Sequence, residues 1–419
     1  MSMRNRFTRT MQGRIAALAR WLACAACLLV LCAACARNNC PGCTLADPLP
    51  IGCPYAASNL APTYTNPMTP DPTMLILSGG GSYGAWGAGV ITGWPSTPVP
   101  RPRFTVVTGI STGALQATPA FLGTAQSDAQ LTSFFTTSTN SDIYTTKWNF
   151  MFSDSLQSRE PLRQIIHDNV TDAVVDAVAA ETDRELFVGT VNLDTSQFCP
   201  WNLSTIAHKA HAAKLANDTD TQSCYVRLFR KAIFAASGAP VITPPVEIDS
   251  NACTGLPPRK MLHVDGGVRL RVFVAKLIDD AIQAGKHPTA YVIMNGKLAT
   301  HPECVEDSLA PIAMRTFEIM DHESLYGSLY ALMYGRDGKF DLKLSRVPDQ
   351  SCLTFPSSEF DPPKLLCLYQ SGKAWVQQTT DPWETKLPVE SAAAWPAGCC
   401  STALKCAGRI CLPSAGCPP

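Results

Sequence analysis

Residues 73–94, TMLIL-SGGGSYG-AWGAGVITGW, constrain the fold most. A five-residue apolar run breaks into three consecutive glycines and resumes with helical composition, which predicts strand, tight turn and helix in that order. A proline-broken connection, STPVPRPR at 96–103, leads into a second apolar strand, FTVVT, a second turn, GISTG at 109–113, and a second helix, ALQATPAFLG. A βαβ unit followed by another helix implies an α/β fold, with a mainly parallel central sheet flanked by helices. Further strands are expected at 186–193, 260–264 and 290–294, and helices at 161–170, 224–237, 272–285 and 312–333. After about residue 345 the pattern weakens, apart from a helix near LLCLYQSGKAWVQ.

The 419 residues, 46% of them hydrophobic, suffice for a large core. The folded domain is expected over 73–375, with a linker rich in Pro, Asn and Thr at 36–72 and a Cys- and Pro-rich tail at 376–419. Arg4, Arg6, Arg9, Arg14 and Arg20 precede the uncharged stretch WLACAACLLVLCAAC at 21–35. That is the layout of an export signal, and it falls short of the ~20 residues that span a bilayer as a helix. Its end, Ala33-Ala34-Cys35 with Leu31 nearby, resembles the lipobox of bacterial lipoproteins, whose cysteine is lipidated. Cys32 holds the usual leucine position, and ordinary signal cleavage in the same region is the alternative. Export to the cell envelope, or secretion, is therefore expected.

Formal charge is zero over the whole chain, and without the first 34 residues 29 basic and 34 acidic side chains remain, a net −5. Nothing in that balance points to nucleic acid. Of 18 cysteines, 14 would remain after removal of the signal and lipidation of Cys35, an even number that in an exported chain suggests up to seven disulfides. Zinc is the competing reading for Cys40 with Cys43 and for Cys399, Cys400, Cys406, Cys411 and Cys417, but no histidine lies near either cluster.

Three motifs offer chemistry. Gly79, Gly81 and Gly84 match G-x-G-x-x-G between strand and helix, yet no acid occurs between Asp71 and Asp128 to hold a ribose, and no Gly-Lys-Ser/Thr follows. Gly109-Ile110-Ser111-Thr112-Gly113 fits G-x-S-x-G directly after a strand, a turn that presents the serine oxygen at a helix N-terminus. Neighbouring parallel strands bring both glycine turns to the carboxyl edge of the sheet, so the amides of Gly79, Gly80 and Gly81 are placed to stabilise an oxyanion beside Ser111. A serine hydroxyl needs a base. None of His167, His208, His211, His263, His287, His301 and His322 sits in a motif that nominates it, whereas Asp265 ends a strand in KMLHVDGG. An Asp-Gly pair is most often only a turn; together with the other two motifs it makes Asp265 the candidate general base.

SGGGSYG, GISTG and DGG, in that order, resemble the patatin-like phospholipase family, over roughly residues 73–297 and extending to about 375. TVNLDT at 190–195 and AASGAPVITPPV at 235–246 also look like family segments. The resemblance implies a Ser–Asp dyad on an α/β sheet, with Ser111 as nucleophile, Asp265 as base and the amides of Gly79, Gly80 and Gly81 as oxyanion hole. It implies a fatty-acyl ester substrate, of a phospholipid or other glycerolipid, and requires neither metal nor organic cofactor. The family's loop often begins with Asp and carries Arg two residues past the glycines, where Ser78 and Tyr83 stand here. Trp86, Trp94, and Trp148 with Phe150, Met151 and Phe152, are candidates for an acyl path or for ordinary core. Two other readings compete: a classical Ser–His–Asp esterase using His301 or His322, and a catalytically silent envelope lipoprotein. Membrane contact through a lipid anchor or by interface binding is expected, and protein partners are not indicated.

Overall fold

The computed structural model describes residues 71–146, 157–238, 243–249, 251–297, 305, 308–348 and 356–387. The export signal, Cys35, the CPGC pair, His301, the group Trp148 to Phe152 and the cysteine tail lie outside them.

The chain begins with β1 (Thr73–Leu77), α1 (Gly84–Gly93), β2 (Val106–Gly109), α2 (Thr112–Leu122), α3 (Ala125–Thr137) and α4 (Asn140–Ile143). Short strands β3 (Thr145–Thr146) and β4 (Gln157–Ser158) pair with each other, and α5 (Glu160–Asn169) and α6 (Asp172–Ala179) follow. Next come β5 (Glu185–Asn192), β6 (Gln197–Asn202), α7 (Leu203–Leu215), α8 (Thr219–Ala236), β7 (Val246–Asp249) and β8 (Lys260–Asp265). The chain continues through α9 (Ala275–Gln283), β9 (Thr289–Ile293), α10 (Leu309–Met333), β10 (Asp341–Ser345) and α11 (Pro362–Val376). Among the described residues no helix is long and apolar enough to cross a membrane.

The sheet runs β10-β9-β1-β2-β5-β8-β7, with β6 paired to β5 off this path. Strands β10, β9, β1, β2 and β5 are mutually parallel, while β6, β8 and β7 add antiparallel pairs, so the sheet is mixed but mostly parallel. Alternation along the strands sorts the core into two layers. Leu75, Leu77, Val107, Leu186 and Val188 face one layer of helices. Met74, Ile76, Val106 and Phe187 face the other, which holds the apolar side of α9 and the Leu325–Leu332 stretch of α10.

The helix expected near LLCLYQSGKAWVQ is α11, which packs on α1 through glycines. A Cβ on Gly372 would lie 2.2 Å from the Trp86 carbonyl oxygen, and one on Gly89 2.0 Å from that of Tyr369. The glycines of GAWGAG thus let two helix backbones approach closely, a packing role outside the site. Trp86 and Trp94, candidates for an acyl path, are core residues: Trp86 is fully buried with its Nε1 donating to Ser345 Oγ at 3.0 Å, and Trp94 stacks among Phe104, Tyr291 and Trp383. One disulfide, Cys224–Cys253, joins the start of α8 to the turn after β7, and Cys199 and Cys367 are also disulfide-bonded.

Candidate active site

The two parallel strands deliver their turns level with each other, because β1 pairs with β2 in a register that ends at Leu77 opposite Gly109. The Ile110 N–H donates to the Leu77 carbonyl at 3.1 Å, so Ser111 starts α2 directly beside the glycine loop. Its backbone, at φ 54 and ψ −123, lies in the region that disfavours non-glycine residues. Such a strained elbow lifts the side chain clear of strand and helix. The Ser111 N–H is not spare for the oxyanion, since it donates to the Ala236 carbonyl at 3.0 Å.

Asp265 arrives from the opposite direction. Strand β6 occupies one edge of β5 over 187–192, which leaves β2, paired over 185–188, and β8, paired over 190–192, sharing the other edge. Strand β2 runs parallel to β5 and β8 antiparallel to it, so their carboxyl ends meet head on, Gly109 opposite Val188 and Asp265 opposite Thr190. Residues 154 positions apart in the chain thereby converge. The end of α8 ties the corner together: Ala236 accepts from Ser111, and Gly238 accepts from the Asp265 N–H, also at 3.0 Å. Arg159, buried against the Phe234 ring, braces that segment through the Phe234 carbonyl at 2.7 Å and Ser237 Oγ at 3.4 Å.

The Asp265 carboxylate accepts from the Gly267 N–H at 2.7 Å and lies within hydrogen-bonding reach of the Ser111 hydroxyl. Burial pushes its carboxyl above the ordinary range, against the downward pull of Ser111, Gly267 and the Arg271 charge. That is the direction a general base needs to hold a proton transiently.

The glycine loop is held from behind. Asn295 donates its backbone N–H to Ser78 Oγ at 2.9 Å and its Nδ2 to the Ser78 carbonyl at 2.8 Å and to Gln116 Oε1 at 2.9 Å. Gly80 presses so closely on the Asn295 carbonyl oxygen that a Cβ would stand 1.6 Å from it. On the other side, the Ser357 carbonyl accepts from the Ser82 N–H at 2.8 Å. Among the described residues the N–H groups of Gly79, Gly80 and Gly81 make no hydrogen bond, leaving three backbone donors spare. Ser78, where the family often has Asp, is therefore a fixing point for the loop. Tyr83, where the family often has Arg, is partly buried against the core, with its hydroxyl pushed up to about 12 by burial first and by Glu318 second.

A cavity of about 260 Å³ opens over these groups, lined by Gly80, Gly81, Ser111, Asp265 and Arg271, with Leu115, Ile143, Leu162 and Phe360 on its apolar side. Gly79 is not in that lining; it lies behind, against Ser111 and Arg271. Leu115 and Leu162 also line a second, mainly apolar cavity of about 80 Å³, walled by Thr118, Pro119 and Leu122 of α2, Phe134 and Phe135 of α3, and Ile165 and Ile166 of α5, with Gln130 and Asn169 also in its lining. No histidine lines the main cavity among the described residues. His322, on α10, is outside the lining, and His263 is buried beside Thr190 with its pKa pushed down by burial to about 4.

The structure brings together Ser111, Asp265 and the glycines that the motifs nominated, and beside them it places Arg159, Arg271, Asn295 and Gln116, which no motif nominated. No local pattern marks those four, since each gains its place through contacts 50 or more residues away.

The chain thus presents a strained strand-to-helix serine turn on a mostly parallel sheet between two helical layers. The model of the patatin-like phospholipase family matches residues 75–278, from β1 to within α9. Residues 75–278 thus match a patatin-like phospholipase domain, which supports a lipid acyl hydrolase activity in general terms. The crystal structure of VipD from Legionella pneumophila is similar at 11% identity over 74% of this chain and 67% of that one, with a TM-score of 0.33, too distant to bear on mechanism. Among curated proteins, none matches.

Proposed function

We propose that the protein hydrolyses fatty-acyl esters of phospholipids or related glycerolipids through a Ser111–Asp265 dyad. The observation that carries this is the meeting of the strained Ser111 turn with a buried carboxylate within its hydrogen-bonding reach. Ser111 Oγ attacks the ester carbonyl while Asp265 takes the hydroxyl proton. The carbonyl electron pair moves onto oxygen, where the spare loop amides, Gly80 and Gly81 at the cavity wall and Gly79 behind, stabilise it. Collapse expels the alcohol, which recovers the proton from Asp265 and leaves an acyl-serine. Water then attacks, Asp265 again accepts a proton, and the fatty acid leaves with Ser111 restored.

The apolar cavity beyond Leu115 and Leu162 supports an acyl rather than a polar substrate. One side of it is a stripe of α2, Leu115, Thr118, Pro119 and Leu122, spaced at three and four residues from the serine end, so a chain whose carbonyl sits at Ser111 would run along an apolar groove. We further propose that residues 1–35 direct export and that Cys35 carries the lipid anchor; loss of labelled fatty acid from a Cys35→Ala protein expressed in a bacterial host tests this.

The hydrolytic proposal is tested by the release of free fatty acid from mixed micelles of phosphatidylcholine and detergent. Wild type is expected to release it and Ser111→Ala to lose about 10³-fold or more of the rate. A folded wild type that releases none from phospholipid or diacylglycerol contradicts the proposal.

A further inference from the structure

Arg271 stands in the wall of the main cavity, on the turn that follows β8, and the dyad chemistry assigns it nothing. It is only 9% exposed. Its Nη2 donates to Asp321 of α10 at 2.7 Å, and its backbone N–H donates to Ser328 Oγ at 3.1 Å. Nε is buried without an acceptor, and among the described residues Nη1 makes no hydrogen bond. A guanidinium taken out of water normally finds partners for its donors, so two idle ones at a cavity wall indicate a ligand atom.

The position of Nη1 identifies that atom. A Cβ on Gly79 would lie 3.0 Å from Nη1 and 2.9 Å from Ser111 Cβ. A Cβ on Gly267 would lie 3.0 Å from Nη1 and 3.0 Å from Asp265 Oδ1. Nη1 thus borders the serine, the glycine loop and the aspartate together.

We infer that Arg271 donates its Nη1–H to the oxyanion of the acyl-transfer intermediate, supplying from the turn after β8 the cation that the glycine loop lacks at Tyr83. The inference rests on the Ser111–Asp265 chemistry proposed above and adds a fourth, charged donor to it. A resident anion such as a head-group phosphate fits less well, because Asp265 and Asp321 already outnumber Arg271 in the cavity wall. An oxyanion adds no charge: as the Oγ–C bond forms, the serine proton passes to Asp265, and the negative charge leaves the carboxylate for the ester oxygen. Because Arg271 is paired with Asp321, Nη1 remains free until that moment. A hydrogen bond made only in the transition state raises kcat and leaves KM alone.

The test is the steady-state hydrolysis of a soluble, uncharged p-nitrophenyl ester by the purified full-length protein, with thermal melts confirming folding. Arg271→Lys, which keeps a charge for Asp321 but not the forked donor, is expected to lose about 100-fold in kcat with KM within about twofold. Added guanidinium ion is expected to restore part of the rate to Arg271→Ala and none to Ser111→Ala. Should Arg271→Ala not fold, Asp321→Asn, which leaves the guanidinium present but loosely held, carries the test with an expected loss of about 10-fold in kcat. A rise in KM at constant kcat makes Arg271 a ground-state binding residue and overturns the inference, as does wild-type turnover by folded Arg271→Lys. An inert wild type refutes the dyad chemistry first, and the inference falls with it.

Discussion

The two halves of the site are built in different ways. Ser111 and the glycine loop come from one βαβ unit, where two neighbouring parallel strands end level at Leu77 and Gly109 and each breaks into a glycine turn. Asp265 and Arg271 come from the antiparallel part of the sheet, and they reach the serine only because β8 meets β2 end to end along β5. The first half places the proposed donors and the proposed nucleophile by local geometry. The second places charge, and it depends on Gly238, Arg159 and α10 to hold it. Ser111 is thus positioned largely by backbone, while Asp265 and Arg271 are positioned by long-range packing.

Variants in each half sharpen this contrast. The largest effect is expected on the charge side: Asp265→Asn keeps the shape and the contact with the Gly267 N–H but cannot take a proton, and should lower kcat about 10³-fold. On the backbone side, Gly80→Ala sets a methyl against the Asn295 carbonyl oxygen, which belongs to the backbone and cannot swing away. The loop must shift, and kcat should fall about 10²-fold, with a lower melting temperature, even though no side chain of the mechanism has changed. Leu115 lines both cavities, and Leu115→Trp would fill the space where they adjoin. It should leave short-chain esters near wild-type rates and lower kcat/KM for long chains about 10-fold, as measured over a series of p-nitrophenyl esters.

The smallest expected effect is on stability, and it has the opposite sign. The Asp265 pKa is raised in the folded state, above all by burial. The folded protein therefore binds that proton more tightly than the unfolded chain, and the resulting stability is full below the ordinary carboxylate pKa and lost as pH rises through the folded value. At neutral pH the buried charge is a cost. Asp265→Asn should consequently melt ~2 °C or more above wild type at pH 7.5, with the difference vanishing toward pH 4. A variant that is less active and more stable would mark Asp265 as a site built for chemistry.

Much of the first half could be read in the sequence because its signals are local. Apolar runs of four or five residues, glycine turns and helical composition recur in order, and β1, α1, β2 and α2 appear where that order predicts them. Strand β8 was visible as well, running into Asp265-Gly266-Gly267. Its direction was not, because an antiparallel pairing to β5 leaves no trace in KMLHVD itself. Strand β6, QFCPWN, was missed: Pro200 argues against a strand, and it is tolerated because, among the described residues, β6 pairs with β5 alone and lies at an edge. The later glycines of α1 fit neither the phosphate nor the oxyanion motif, and Gly89 serves contact with α11, more than 270 residues away. Arg271 lay six residues past Asp265 in plain view. Only the path of α10 and the turn at Gly267 bring its guanidinium back to the serine.

The central claim is that a buried aspartate, not a histidine, activates Ser111, and the rate of covalent labelling by a fluorophosphonate tests it most directly. Labelling should modify Ser111 in wild type, proceed unchanged in His322→Gln, and slow by about 100-fold or more in folded Asp265→Asn. Labelling of Asp265→Asn at the wild-type rate, or its loss in His322→Gln, would contradict the account.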